Sequence, residues 1–223
     1  MIAVIYIGEP RYRDLTRLNH ETLFDQLRSN WPIQTYDFTH GAWDRSRCPF
    51  ELSGQIQVWD WYESVAKITE PYVIKLRTDV WFGPGAVQAV LSELTNIVSG
   101  AQDISYLGAE LYEDFATEYN RILAGKMVKI QDYCVIADKR RVRPQQEVYN
   151  EMLTGKQYKS GNRTWRYLAT DHSRCYSVRC QMYLVRDHPR EVTDWQIGYD
   201  FVRSFDKCDK AQAWWELNRP VKC

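Results

Sequence analysis

The sequence predicts an α/β fold with a parallel sheet and flanking helices, and three observations lead there. Residues 2–7 (IAVIYI) form a continuous apolar run, rich in β-branched side chains, that stops at Gly8, which is the pattern of a strand buried on both faces. Strand-like and helix-like periods then alternate through the first hundred residues at short spacing, which implies right-handed βαβ crossovers. The chain has 223 residues, 44% of them apolar and 26% charged, the size and balance of one ordinary globular domain.

The elements follow in order. Residues 14–30 carry Leu15, Leu18, Leu23, Phe24 and Leu27 on helical spacing, with Asp14 at the start. A strand at 33–39 leads into His40 and Gly41. Ser53 caps the next helix, which runs to about residue 69 with Ile56, Trp59, Tyr62, Val65 and Ala66 as its apolar stripe. After Glu70 and Pro71 a single strand is expected over 72–82, and Pro84 opens a helix striped by Val87, Val90, Leu91 and Leu94. The remainder predicts strands at 104–107, 133–137 and 178–185, helices at 115–124 and 144–153, and a helical region from Asp194. Residues 155–162 (GKQYKSGN) read as a flap or a surface turn. Residues 1–223 are expected to be one domain, with 1–100 its nucleotide-fold half.

Charge and cysteine usage narrow the function. The 29 Lys and Arg balance 29 Asp and Glu, so no general attraction to nucleic acid or acidic membranes is expected. No window approaches 18 apolar residues and no export signal precedes the first strand, so a cytoplasmic protein without a membrane span is expected. The six cysteines (Cys48, Cys134, Cys175, Cys180, Cys208 and Cys223) include no C-x-x-C pair and read as reduced thiols. A zinc site from His172, Cys175 and Cys180 is the alternative, at irregular spacing.

The chemistry concentrates in residues 72–82 (YVIKLRTDVWF). Strand alternation places Lys75, Arg77 and Asp79 on one face and Ile74, Leu76, Thr78 and Val80 on the other. Three charges on one face of a central strand are costly to bury unless they pair or meet a ligand. Ligands of open α/β sheets sit beyond the carboxyl ends of strands, where Asp79 would join the loops after Gly8 and Thr39. An aspartate there among basic neighbours suits a divalent cation bridging to a diphosphate; the alternative is an ion pair of Asp79 with Lys75 or Arg77. The loop GEPRYR offers Gly8, Glu9 and Arg11 to a nucleotide, or is simply a polar turn. Neither G-x-G-x-x-G nor G-x-x-x-x-G-K-[ST] follows the first strand, which counts against a dehydrogenase and an NTPase.

The strand ending K-x-R-x-D (Lys75, Arg77, Asp79), about seventy residues after IAVIYIGEPR, resembles the metal-binding region of GT-A fold glycosyltransferases, including bacterial capsule and viral capsid-glycan transferases. In those that read K-[IL]-R-[ST]-D, a D-[WFY] pair follows some fifty residues on, matched here by Asp132 and Tyr133. The resemblance implies a mostly parallel mixed sheet, a UDP-sugar donor, an oligosaccharide or glycoprotein acceptor bound by residues 101–223, and Mn²⁺ or Mg²⁺ held by Asp79. It further implies that Gly8, Glu9, Arg11, Thr39, Arg77, Thr78 and Asp79 meet the nucleotide. A virus-encoded chain would act in the host cytoplasm. Where a full D-x-D supplies two acids, this chain has Arg77 in the first place; Asp171, His172 and His188 are further candidate ligands. Asp132 is the candidate base for the acceptor proton of an inverting reaction, or orients the donor sugar in a retaining one. Trp165, Trp195, Trp214 and Trp215 are candidate acceptor platforms. Two rival functions stand beside this one: a sugar nucleotidyltransferase, and a non-catalytic carbohydrate-binding or assembly module.

Overall fold

The run at residues 2–7 forms the middle of the molecule: all six side chains are buried in strand β1 (Ile2–Gly8) of the computed structural model. The structure describes residues 1–8, 10, 12–39, 46–51, 53–83, 85–108, 133–154, 168, 170, 174–186 and 196–198. Strands β2 (Ile33–Thr39) and β3 (Tyr72–Leu76) pair in parallel with β1, one on each side. Beyond β3 come β6 (Cys134–Asp138), β5 (Ile104–Gly108) and β7 (Cys175–Arg179), giving a six-stranded sheet in the order β2-β1-β3-β6-β5-β7. Strand β6 is antiparallel to both its neighbours, whereas β7 is parallel to β5. The sheet is therefore mixed and mostly parallel, as expected. The polar residues of β2 fit its place at the edge, where Gln34, Thr35 and Asp37 are exposed.

Helix α1 (Arg13–Asn30) connects β1 to β2, and α2 (Ser53–Val65) returns across β1 to β3. Right-handed crossovers that move in opposite directions along a sheet must place their helices on opposite faces. Accordingly Leu23, Phe24 and Leu27 of α1 share one core with Val90, Leu94 and Ile97 of α3 (Ala86–Val98), against Val4, Ile74 and Ile136. On the other face Val58, Trp61 and Tyr62 of α2 pack with Val148 and Met152 of α4 (Gln145–Thr154), against Ile5, Val73 and Tyr106.

The structure corrects several expectations. The strand expected over 72–82 is two strands: β3 stops at Leu76, residues 78–79 turn, and β4 (Val80–Phe82) enters a second sheet, β4-β8-β9, with β8 (Met182–Arg186) and β9 (Gln196–Gly198). Lys75, Arg77 and Asp79 thus do not share one strand face: Lys75 is buried within β3, opposite Ile5 and Val135, while Arg77 and Asp79 pair with each other across the turn. The strand expected over 178–185 is likewise interrupted, between β7 and β8. Residues 196–198, expected to be helical, are strand β9. Helix α2 ends at Val65, with a turn closed by Ala66 N–H on Tyr62 O and Lys67 N–H on Ser64 O. Leu18 lies on the exposed side of α1, because the buried face is 16, 19, 20, 23, 24 and 27. Cys175 and Cys180 bracket β7, about 16 Å of extended chain, and belong to different cores, so they do not share a metal. The helix expected at 115–124 and the loop at 155–162 lie outside the described residues.

Candidate functional site

The register puts the carboxyl ends of the first three strands on one edge of the sheet. Gly8 pairs with Thr39, and Tyr6 pairs with Leu76, so the chain leaving β3 at Arg77 starts level with the end of β1. Strand β6 begins on the same edge, with Cys134 paired to Leu76. Because β2 and β3 lie on opposite sides of β1, the connections from this edge diverge there. That is the topological switch point where open α/β sheets bind ligands. Gly8 turns the chain away with φ of 100°, a conformation rather than a lack of space that selects glycine, since a Cβ there would meet nothing within 4 Å.

The 77–79 turn is built around a two-pronged ion pair. Arg77 Nε donates to Asp79 Oδ1 at 2.9 Å and its Nη2 to Oδ2 at 2.8 Å. The carboxylate side chain is 6% exposed and the guanidinium side chain 25%, so the pair is buried on the acid side and open to the edge on the basic side. Arg77 N–H reaches Tyr133 O at 3.4 Å, and the guanidinium carbon stands 5.9 Å from the centre of the Tyr133 ring. Thr78 is buried between the two, its carbonyl accepting the hydroxyl of Thr16.

At the end of β2, Asp37 Oδ1 accepts both the hydroxyl of Thr39, at 2.7 Å, and its N–H, at 3.0 Å. Arg13, at the start of α1, also bonds Asp37 and lies 5.1 Å from the centre of the Tyr6 ring. Burial alone would raise the Asp37 carboxyl, but the bonds from Arg13 and Thr39 outweigh it and hold the group below its ordinary value. Arg13 and Asp37 were not expected at the site. Their signal was a basic residue opening a helix that follows β1 and an acid two residues before the end of β2, neither distinctive in a sequence.

Of the expected nucleotide-binding residues, Gly8, Thr39, Arg77, Thr78 and Asp79 are thus brought to one edge. Glu9, Arg11, Asp132, Trp165, Asp171, His172, His188, Trp195, Trp214 and Trp215 lie outside the described residues. The described residues do not by themselves fit a divalent cation. Both oxygens of Asp79 are engaged by a guanidinium, and no group of three His, Cys, Asp or Glu side chains gathers among the described residues.

No family model matches the sequence, and no curated protein matches it. Solved structures do. The chain is similar to a glycosyltransferase involved in the glycosylation of the major capsid of PBCV-1, at TM-score 0.47 and 10% identity over 80% of this chain and 82% of that one. It is also similar to the glycosyltransferase GlyE of Streptococcus pneumoniae TIGR4, at TM-score 0.44 and 13% identity over 79% of this chain and 44% of that one. A third likeness is to A197 from STIV, at TM-score 0.33 and 10% identity over 82% of this chain and 85% of that one.

Proposed function

We propose that this chain is a glycosyltransferase that moves a sugar from UDP to an oligosaccharide or glycoprotein acceptor. The observation that carries the reading is a partly exposed guanidinium, oriented by a buried carboxylate, at the switch point of a mostly parallel sheet. In the transfer the acceptor oxygen bonds to the anomeric carbon, the bond from that carbon to the diphosphate oxygen breaks, and UDP leaves with the electron pair. Charge grows on the leaving diphosphate, and a fixed guanidinium offers it donors without reorganisation. Two of the five donors of Arg77 are set on Asp79, which fixes the plane of the group. The acceptor proton goes to Asp132, whose neighbour in sequence, Tyr133, touches Arg77.

Were Mn²⁺ or Mg²⁺ to take part, Asp79 is the described carboxylate that would hold it, once released from Arg77, and the cation would supply charge neutralisation at the leaving diphosphate. Thermal melts with UDP, ATP and NAD, each with and without Mn²⁺, test both parts. UDP at about a hundred times its dissociation constant is expected to stabilise the protein by about 2.7 kcal/mol, and ATP and NAD by much less. A UDP shift that needs Mn²⁺ supports the cation; the same shift without it assigns the diphosphate to Arg77 alone. Equal shifts from all three nucleotides, or none, would sink the proposal. A carbohydrate-binding module would respond to glycan alone, and a nucleotidyltransferase would turn over UTP with a sugar 1-phosphate.

A further inference from the structure

Helix α1 turns three polar side chains, Thr16, Asn19 and His20, into the core, each at most 1% exposed. Burying such groups is unfavourable unless each finds a partner, and all three find the same one: the backbone of residues 78–82. Thr16 Oγ1 donates to Thr78 O at 2.6 Å. Asn19 closes a two-way pair with Phe82, Nδ2 to the carbonyl at 2.9 Å and the amide to Oδ1 at 2.6 Å. His20 Nε2 lies 2.6 Å from Val80 O, and its Nδ1 lies 2.8 Å from the Tyr6 hydroxyl. A carbonyl can only accept, so Nε2 carries the hydrogen and, in the neutral ring, Nδ1 accepts from Tyr6.

The alternation of these contacts is informative. The carbonyls of 78, 80 and 82 meet α1, while Asp79 O accepts from Val185 N–H at 2.9 Å and Gly83 N–H donates to Gln181 O at 2.7 Å. Among the described residues, strand β4 has β8 as its strand partner on one edge only. On the other edge the helix side chains stand where a second strand would be. One of the bonds reaches inside the 77–79 turn, at Thr78, and another, through Tyr6, ties the same helix to β1 two residues before Gly8. Helix α1 therefore connects the two strand ends that form the switch-point crevice.

We propose that Thr16, Asn19 and His20 are positioning residues that hold the 77–79 turn, and with it the plane of the Arg77 guanidinium, against the end of β1. The functional part of this rests on the reading of that turn as the donor diphosphate site. A scaffold role would lower stability without changing affinity for nucleotide; a positioning role changes affinity while the fold persists.

The test is Thr16→Val, which keeps shape and removes the hydroxyl, with Thr16→Ser as the variant that keeps it. Amide hydrogen exchange and calorimetric titration with UDP, with and without Mn²⁺, are measured on wild type and both variants, well below the melting temperature. In Thr16→Val, exchange is expected to accelerate at residues 79–82 and not in α3 or β5, and UDP to bind about tenfold more weakly. Thr16→Ser should restore most of both. Unchanged UDP affinity in a folded Thr16→Val, or exchange that accelerates evenly over the whole sheet, overturns the proposal. If wild type binds no UDP, the donor-site reading fails, and the exchange pattern alone judges whether α1 holds the turn. Should Thr16→Val not fold, Asn19→Asp, which loses the donor to Phe82 O but keeps the acceptor for its amide, takes its place with the same outcomes.

Discussion

Asp132→Asn is expected to slow sugar transfer by roughly 10² to 10⁴ while leaving UDP affinity nearly unchanged, because a base that serves the acceptor does not touch the nucleotide. Arg77→Ala is expected to fail differently. It removes charge-assisted donors from the diphosphate, so UDP should bind about ten to a hundred times more weakly, and transfer should fall by roughly 10² to 10³ through lost electrostatic stabilisation. It also deprives the nearly buried Asp79 carboxylate of a bidentate partner. Since the guanidinium is partly exposed, the cost in stability is about 1 to 2 kcal/mol, less than for a fully buried pair. Arg77→Lys keeps the charge but not the fork and should recover stability more than affinity. Single-turnover rates, UDP titrations and urea melts on the three variants separate these outcomes. Asp132→Asn with wild-type turnover removes that residue from the chemistry; if it instead weakens UDP-sugar binding relative to UDP, Asp132 orients the donor. Arg77→Ala with wild-type UDP affinity removes the guanidinium from the diphosphate site.

The parts of this architecture that were legible in the sequence are those decided by burial alone. Residues 2–7 can only be a strand covered on both faces, and Leu23, Phe24 and Leu27 can only face a core; hydrophobic period and strand–helix alternation then set the parallel β2-β1-β3 unit and its ligand-binding edge. What escaped is decided by polar partners. Alternation along 72–82 assumes that a strand continues, but the chain turns at 78–79, and Arg77 and Asp79 meet across that turn. The alternative reading of an ion pair held the right contact, while the strand reading held the wrong backbone. Thr16, Asn19 and His20 sit at core spacing on α1, yet a polar side chain at such a position signals a buried hydrogen bond without saying to what. Its partner, the backbone of residues 78–82 sixty or more positions away, is turned toward α1 only once β3 has ended and the chain has bent into β4.

The same helix face predicts how the protein responds to acid. Stability is expected to fall by about 3 kcal/mol between pH 6.5 and 4 on account of His20 alone. The ring is fully buried, and burial lowers its pKa from 6.5 to about 4, against smaller opposing effects of the Val80 carbonyl and Asp79, with Arg13 adding slightly to the lowering. The unfolded chain therefore takes up a proton near pH 6.5, whereas the folded chain resists it until about pH 4. Stability from the neutral ring is complete above pH 6.5, is lost as pH falls through that window, and declines no further on this account below it. The carboxylates Asp37 and Asp138 are held below their ordinary value of 3.8 by their arginine partners, despite burial that pulls the other way, so their contribution is lost mainly at lower pH and meets the His20 window only at its acid end. Urea melts at half-unit steps from pH 7 to 4, repeated on His20→Gln, isolate the effect: the wild-type slope should approach one proton across the window and the variant's should be nearly flat. If the variant does not fold, the imidazole resonances of wild-type His20 give the same answer, since they should hold their neutral positions at pH 5. A wild-type stability that is level from pH 6.5 to 4.5, or a His20 resonance that titrates near 6.5, would show that the ring is hydrated and that the hydrogen bonds from Tyr6 and to Val80 do not lock it.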